Sequence, residues 1–222
     1  MKKLLITIDG PAGSGKTTVS RLLARKLGYR YVDTGALYRA VALAAVRGGV
    51  SPEDDGALEE MCRGLSLNFV VADGDARLFC GEEDVSELIR TPEISMMASR
   101  VSARPVVRAW LLSLQREIGG EKAAVFEGRD MGTVVFPGAD RKFFLAASPE
   151  VRARRRHREM AEKGARAQSL AEVAADMKKR DENDTQREVA PLKPAEDAIA
   201  IDTSSLSPEG VVSEMLSFIS GD

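Results

Sequence analysis

Short apolar runs recur along the chain, and stretches with helical periodicity separate most of them. The first run, Leu4–Ile8, is almost continuously apolar, which is typical of a parallel strand covered on both faces. Similar runs follow at Tyr29–Val32, Ala123–Phe126, Lys142–Ala146 and Ala198–Ile201. Strands that alternate with helices predict an α/β, doubly wound fold around a five-stranded parallel sheet.

Amphipathic stretches between these runs predict the flanking helices. The first begins at Thr18, places Val19, Leu22 and Leu23 on one face, and ends at Gly28. The others cover Thr34–Arg47, Val106–Ile118, Ser148–Lys163, Ser169–Asp181 and Pro208–Ser220.

The alternation is interrupted between residues 50 and 105. A helix is predicted over Pro52–Arg63, and two alternating runs, Leu65–Val70 and Arg77–Cys80, flank the hairpin signal Asp73-Gly74. A further short strand is predicted near Asp84-Val85. The pattern indicates an antiparallel sheet with helices, inserted between the second and third strands of the core. It is either a lid or substrate-binding subdomain, or a passive surface insertion.

The segment that joins the first strand to the first helix carries the clearest chemistry. It reads Gly10-Pro11-Ala12-Gly13-Ser14-Gly15-Lys16-Thr17-Thr18. The spacing Gly-x4-Gly-Lys-Thr between a strand and a helix is that of a phosphate-binding loop, whose backbone N–H groups surround a phosphate at a helix N-terminus. Lys16 is expected to reach the outer phosphates, and the Thr17 hydroxyl to contact Mg²⁺. The sequence therefore predicts a nucleotide bound by residues 10–18.

Length, charge and cysteine content limit the classes of protein to which this chain can belong. The chain has 222 residues, enough for one large domain or a domain with insertions. A net charge of −2 argues against a molecule that binds nucleic acid through its overall charge. Cys62 and Cys80 are expected to be reduced thiols, and no Cys/His cluster has the spacing of a zinc site. No signal peptide or membrane span is predicted, so we expect a cytoplasmic protein.

Five arginines crowd the start of the helix predicted from Ser148. They are Arg152, Arg154, Arg155, Arg156 and Arg158. Three interpretations remain open: a solvated face, a cluster that clamps a transferring phosphoryl group when a lid closes, or a nucleic-acid patch. Glu162-Lys163-Gly164, just beyond, is a candidate lid hinge.

Two other charged segments are candidates for the site. Arg129 and Asp130 follow the third strand of the core, and ligands of open α/β sheets bind at the carboxyl ends of the strands. The two are therefore expected near Lys16, either as substrate contacts or as a structural ion pair. The segment 178–187 is either surface decoration, or it presents Arg180 and Arg187 to phosphate and Asp184 to sugar hydroxyls.

In several of these segments the chain resembles the bacterial cytidylate kinases. The resemblance rests on Ile6–Lys16, Asp33–Arg39, Gly128–Pro137 and Lys179–Leu192, and the second-last of these, GRDMGTVVFP, is the most discriminating. It implies MgATP-dependent phosphorylation of CMP and dCMP by a monomer without nucleic-acid or membrane partners. It also implies a P-loop NTPase core (about 1–33, 106–148 and 166–222), an NMP-binding region with the insertion (about 34–105) and a short helical lid (about 149–165).

The resemblance also implies roles for single residues. Contacts to the CMP phosphate are Thr34, Arg39 and Arg129; the cytosine-reading set is Ser99, Arg108 and Asp130; ribose or phosphate contacts are Arg180 and Asp184. Arg187 resembles a residue near the phosphates, and Arg155 a lid residue that faces ATP. Lys16, Arg129, Arg155, Arg180 and Arg187 form the expected catalytic set. Where some relatives carry extra arginines, this chain has Glu182, Asn183, Thr185 and Gln186.

Alternatives remain within and outside this class. A kinase of UMP or of a non-nucleotide small molecule would use the same phosphate loop, and the cytosine-reading set argues against both. A P-loop GTPase switch would need the guanine-reading motif Asn-Lys-x-Asp, which the sequence lacks. A nucleic-acid-binding module would require the arginines to bind oligonucleotides with a steep dependence on salt.

Overall fold

A computed structural model describes residues 3–72, 75–162 and 168–220. The predicted Asp73-Gly74 turn and residues 163 and 164 of the predicted hinge lie outside these ranges. The strands are β1 (Leu5–Asp9), β2 (Arg30–Asp33), β3 (Leu67–Ala72), β4 (Asp75–Cys80), β5 (Glu83–Asp84), β6 (Ala124–Glu127), β7 (Arg141–Ala146) and β8 (Ile199–Asp202).

The helices largely follow the predicted periodicity. They are α1 (Lys16–Leu27), α2 (Thr34–Gly48), α3 (Asp55–Gly64), α4 (Pro92–Val101), α5 (Pro105–Gly119), α6 (Pro149–Glu162), α7 (Leu170–Gln186) and α8 (Pro208–Ser220). In the described part of the chain, none is long and apolar enough to cross a bilayer.

The predicted five-stranded parallel sheet is confirmed. Its strand order is β2-β6-β1-β7-β8, and β1 pairs in parallel with β6 on one side and β7 on the other. All five residues of β1 are buried, as the continuous apolar run predicted. Because β1 is central, the loop that follows it emerges at the middle of the sheet's carboxyl edge.

The chain divides into two compact units. Residues 1–29 and 123–222 form the first unit, and residues 30–122 form the second. In the first, α1 packs against β6 and α8. The second contains the predicted antiparallel insertion, a sheet in the order β3-β4-β5, with α2 to α5 around one hydrophobic core.

Helix ends differ from the prediction by up to three residues in most cases, as where α3 begins at Asp55 and not at Pro52, and two helices differ more. α4 was not predicted, although Thr91 caps its N-terminus by accepting from the Ile94 N–H and Pro92 occupies its first turn. α7 runs five residues beyond its predicted end at Asp181, to Gln186. It starts as expected, because Ser169 and Glu172 form a reciprocal capping box.

The last residue of β1, Asp9, carries a buried carboxylate. Asp9 accepts hydrogen bonds from the backbone N–H groups of Met131 and Gly132 at 2.9 and 2.8 Å. These residues begin a π-helical turn, Met131–Val135, directly after Arg129 and Asp130. Asp9 therefore fixes the segment that follows β6 against the start of the phosphate loop.

Burial dominates the electrostatics of this carboxylate. It raises the pKa of Asp9 from 3.8 to about 6, although the two backbone hydrogen bonds act in the opposite direction. The charge of Asp130 contributes to this rise in pKa, and that of Lys16 opposes it.

The raised pKa predicts how stability depends on pH. The folded state binds the Asp9 proton more tightly than the unfolded state does, so this group's contribution is fully present below about pH 4 and is lost as pH rises through about 6. The free energy of unfolding should fall by up to about 3 kcal/mol over this range, relative to an Asp9→Asn variant that cannot titrate. Urea denaturation at several pH values measures the difference, and a ¹³C NMR titration locates the midpoint. A midpoint near 4 would contradict burial of this carboxylate.

Candidate active site

The predicted phosphate loop lies between β1 and α1. Gly13 and Gly15 have φ of 73° and 87°, left-handed conformations that glycine adopts without strain. They let the loop curl so that Lys16, the first residue of α1, folds back over it. Its ammonium donates to the Pro11 carbonyl at 2.6 Å and to the Ser14 hydroxyl at 3.4 Å.

The Lys16 ammonium is buried among charges of both signs. Burial lowers the pKa of Lys16 well below its usual range, and the charge of Arg129 lowers it further. Glu127 partly offsets these effects, whereas Arg180 adds to them. The negative charge of a phosphate beside the ammonium would offset both the cost of burying Lys16 and its repulsion by the arginines. The electrostatics of the loop therefore favour an anion.

A hydroxyl and a carboxylate meet beside the loop. The Thr17 hydroxyl donates to Oε1 of Glu127 at 2.7 Å, and Glu127 is buried at the carboxyl end of β6. Hard oxygen atoms of this kind suit Mg²⁺, which usually takes only one or two protein ligands together with substrate phosphates. The described residues contain no cluster of three or more acidic, His or Cys side chains able to hold a metal by themselves.

Glu127 was not among the predicted site residues. Its position could have indicated a role, because Glu127 is the last residue of β6, which lies beside β1 with Glu127 in register with Ile8. What the sequence lacked was the strand order, which decides whether the end of β6 lies beside Thr17.

Two distant motifs form one charge network. Nε of Arg129 donates to Asp184 at 2.9 Å, and Arg187 lies 3.6 Å from Asp130 and 4.0 Å from Asp184. Arg187 also donates to the Ala190 carbonyl at 2.6 Å. The four charged side chains are all largely buried. The end of β6 and the C-terminal turn of α7 are thereby joined by ion pairs.

The arginine run on α6 separates into different environments. Arg152 is buried, donates to the Ala12 carbonyl at 3.1 Å and pairs with Asp181 at 2.7 Å. It therefore holds α6 and α7 to the phosphate loop. Arg154, Arg156 and Arg158 are exposed, so a solvated face describes these three.

Arg155 occupies a different position, beside the loop itself. It donates to the hydroxyl and the carbonyl oxygen of Thr203, and that hydroxyl donates to the Ser14 carbonyl at 2.9 Å. Its Nη1 is 3.8 Å from where a Cβ on Gly15 would lie. Arg155 is thus connected to the phosphate loop through Thr203, a residue that sequence reasoning did not select.

The second unit carries the other predicted contacts. Thr34 is the buried first residue of α2, and Arg39 lies on the same helix. Arg39 pairs with Asp33, the residue that caps α2, at 2.8 Å. The Arg39 guanidinium is thereby held beside the N-terminus of α2, where Thr34 lies.

Arg108 is held on α5 in the same unit. It is buried, donates to the Ser102 carbonyl at 3.3 Å, and its guanidinium lies 5.7 Å from the centre of the Tyr38 ring. Ser99 is exposed on α4, which packs against α2. Asp130, the third member of the predicted cytosine-reading set, belongs to the first unit.

Known proteins are similar to this chain over nearly its whole length. The family described as cytidylate kinase matches residues 6–221. The cytidylate kinase of Geobacter sulfurreducens (strain ATCC 51573 / DSM 12127 / PCA) is 50% identical over 216 residues, which cover 97% of this chain and 92% of that protein. The cytidylate kinase of Geobacter sp. (strain M21) is 51% identical over 213 residues, which cover 96% and 91%.

A solved structure shares the fold at much lower sequence identity. Shikimate kinase from Bacteroides thetaiotaomicron superposes with a TM-score of 0.52 and 14% identity, covering 98% of this chain and 99% of that one. The near-complete match to curated relatives at about half identity goes further than the fold. This chain belongs to the cytidylate kinase family and is a nucleoside monophosphate kinase.

Proposed function

We propose that this enzyme transfers the terminal phosphoryl group of MgATP to CMP and dCMP, giving ADP with CDP or dCDP. The observation that carries the proposal is the family match over residues 6–221. The positive charges of Arg129 and Arg180 that act on the Lys16 ammonium of the phosphate loop support it, because this chemistry needs positive charge concentrated around a phosphate.

In this proposal the enzyme catalyses the reaction by aligning the two nucleotides and by stabilising the negative charge of the transferring phosphoryl group. The acceptor oxygen belongs to an already ionised phosphate, so no general base is needed. Residues 10–18 bind the triphosphate, with Lys16 at its outer phosphates. Thr17 and Glu127 would hold Mg²⁺, which neutralises phosphate charge. Positive charge for the transferring group comes from Lys16, Arg129, Arg155, Arg180 and Arg187.

The acceptor contacts follow the chemistry of cytosine. Its N3 and O2 accept hydrogen bonds and its amino group donates, so Arg108 serves the acceptors and Asp130 the amino group, with Ser99 alongside. Uracil reverses the pattern at positions 3 and 4, which leaves polar groups unpaired at a cost of about 1–3 kcal/mol each. Thr34, Arg39 and Arg129 bind the acceptor phosphate, and Arg180 and Asp184 contact ribose or phosphate.

The remaining assignments belong to the same proposal. The core comprises about residues 1–33, 106–148 and 166–222, the region about 34–105 binds the nucleoside monophosphate, and the lid covers about 149–165. The enzyme acts as a monomer in the cytoplasm. A closed lid would exclude water and limit unproductive hydrolysis of ATP.

Lys16→Ala tests the phosphate-transfer half of the proposal. We expect turnover to fall by at least about a thousandfold, since the ammonium supplies charge at the transferring group. Lys26→Ala, an exposed lysine near the end of the same helix, should retain turnover. Coupled ADP assays and thermal melts on both variants separate catalysis from folding. Near-normal turnover of a folded Lys16→Ala enzyme would remove this residue from the mechanism.

Arg108→Met and Asp130→Asn test the base-reading half. Each should lower kcat/KM for CMP by about tenfold to a hundredfold, and lower that for UMP less, because uracil shares only the O2 acceptor and lacks the other hydrogen bonds to these two side chains. Arg116→Met, an exposed arginine on the same helix as Arg108, is the control. Equal losses with both substrates would mean that Arg108 and Asp130 position the nucleotide without reading its base.

A further inference from the structure

Two helices of the second unit begin with the same capping interaction. Oδ1 of Asp33 accepts the Ala36 N–H at 3.1 Å at the start of α2, and Oδ1 of Asp54 accepts the Ala57 N–H at 3.0 Å at the start of α3. The second oxygen distinguishes them. Oδ2 of Asp33 accepts from Nη2 of Arg39 at 2.8 Å, whereas Asp54 forms no ion pair within the described ranges. Asp33 therefore does more than cap a helix.

The Arg39 guanidinium is folded back over the first turn of α2. A Cβ on Gly35 would lie 3.1 Å from Nη1 of Arg39 and 3.1 Å from Oδ1 of Asp33. The absence of a side chain at residue 35 thus makes room for both groups. Nε of Arg39 is buried and has no hydrogen-bond partner among the described residues. Packing and one ion pair together confine this side chain.

This position is electrostatically unfavourable for a cation. A helix N-terminus carries partial positive charge, so it repels a guanidinium placed over its first turn. The Asp33 carboxylate offsets both positive charges. Without this carboxylate, the long Arg39 side chain would move into solvent. There it would gain rotamer freedom and would no longer be repelled by the helix N-terminus.

We infer that Asp33 is the positioning residue that holds the Arg39 guanidinium over the first turn of α2, where it receives the phosphate of the acceptor nucleotide. The inference rests on the proposed role of Arg39 as a phosphate contact. A side chain confined beforehand loses less freedom when the phosphate binds, which strengthens binding without new contacts. The negative charge of Asp33 opposes the phosphate, but the ion pair and the helix end already neutralise it.

Asp33→Asn separates the cap from the ion pair. Asparagine caps helices as well as aspartate does, but its neutral amide cannot hold the guanidinium by charge. We expect KM for CMP to rise about tenfold, with kcat and KM for ATP almost unchanged, because binding of one substrate is weakened. Asp54→Asn makes the same change at the other cap and should keep parental kinetics. The two variants should show similar small changes in Tm.

Combination with Arg39→Met identifies the partner. Arg39→Met alone should raise KM for CMP, and adding Asp33→Asn should raise it no further, since the group to be positioned is gone. Asp33→Ser, which also caps α2, repeats the measurement if the asparagine variant is unstable.

Each outcome has a distinct meaning. If Arg39→Met leaves KM for CMP unchanged, the proposed phosphate contact fails, and this inference fails with it. If Arg39→Met raises KM but Asp33→Asn leaves it unchanged or lowers it, only the positioning role of Asp33 is overturned. An equal rise from Asp33→Asn with and without Arg39 would also overturn it, because Asp33 would then act by another route.

Discussion

The two hydrogen bonds that Asp9 accepts from Met131 and Gly132 are the constraint on which the site of the first unit depends. They join residues more than a hundred positions apart in sequence, so that the phosphate loop and the segment of Arg129 and Asp130 leave the sheet side by side. The cost is a buried carboxylate, visible in the raised pKa of Asp9. Gly10 shows how tight this edge is, because a Cβ there would lie 2.1 Å from the Leu145 carbonyl oxygen.

Around that junction the protein concentrates charges that repel one another. Arg129 and Arg180 both lower the pKa of the buried Lys16 ammonium, while Asp184 and Asp130 link Arg129 and Arg187 into one network. Burial of the Lys16 ammonium near two arginines is unfavourable in the absence of an anion, so it favours binding of one. In the second unit, the single carboxylate of Asp33 both caps a helix and pairs with an arginine.

Sequence reasoning predicted the features that depend on neighbours along the chain. The five core strands, the phosphate loop and the inserted antiparallel sheet follow from apolar periodicity and local spacing, and all are present. It missed α4, although the Thr91 cap and Pro92 were available as signals. It also left the arginine run on α6 unresolved, since only folding shows that Arg152 is buried against Asp181 while Arg154 is exposed. Glu127, Thr203 and Asp33 were missed for a related reason: their importance lies in partners that the linear pattern does not identify.

Transfer of the terminal phosphate to a cytidine monophosphate is tested most directly by ADP release. MgATP would be offered with CMP, dCMP, UMP, AMP, GMP or shikimate in separate reactions, beside a control without acceptor. We expect strong stimulation by CMP and dCMP, and release little above the control with the other four compounds. Equal release without any acceptor, or strong stimulation by a different compound, would contradict the assignment while leaving the phosphate loop in place.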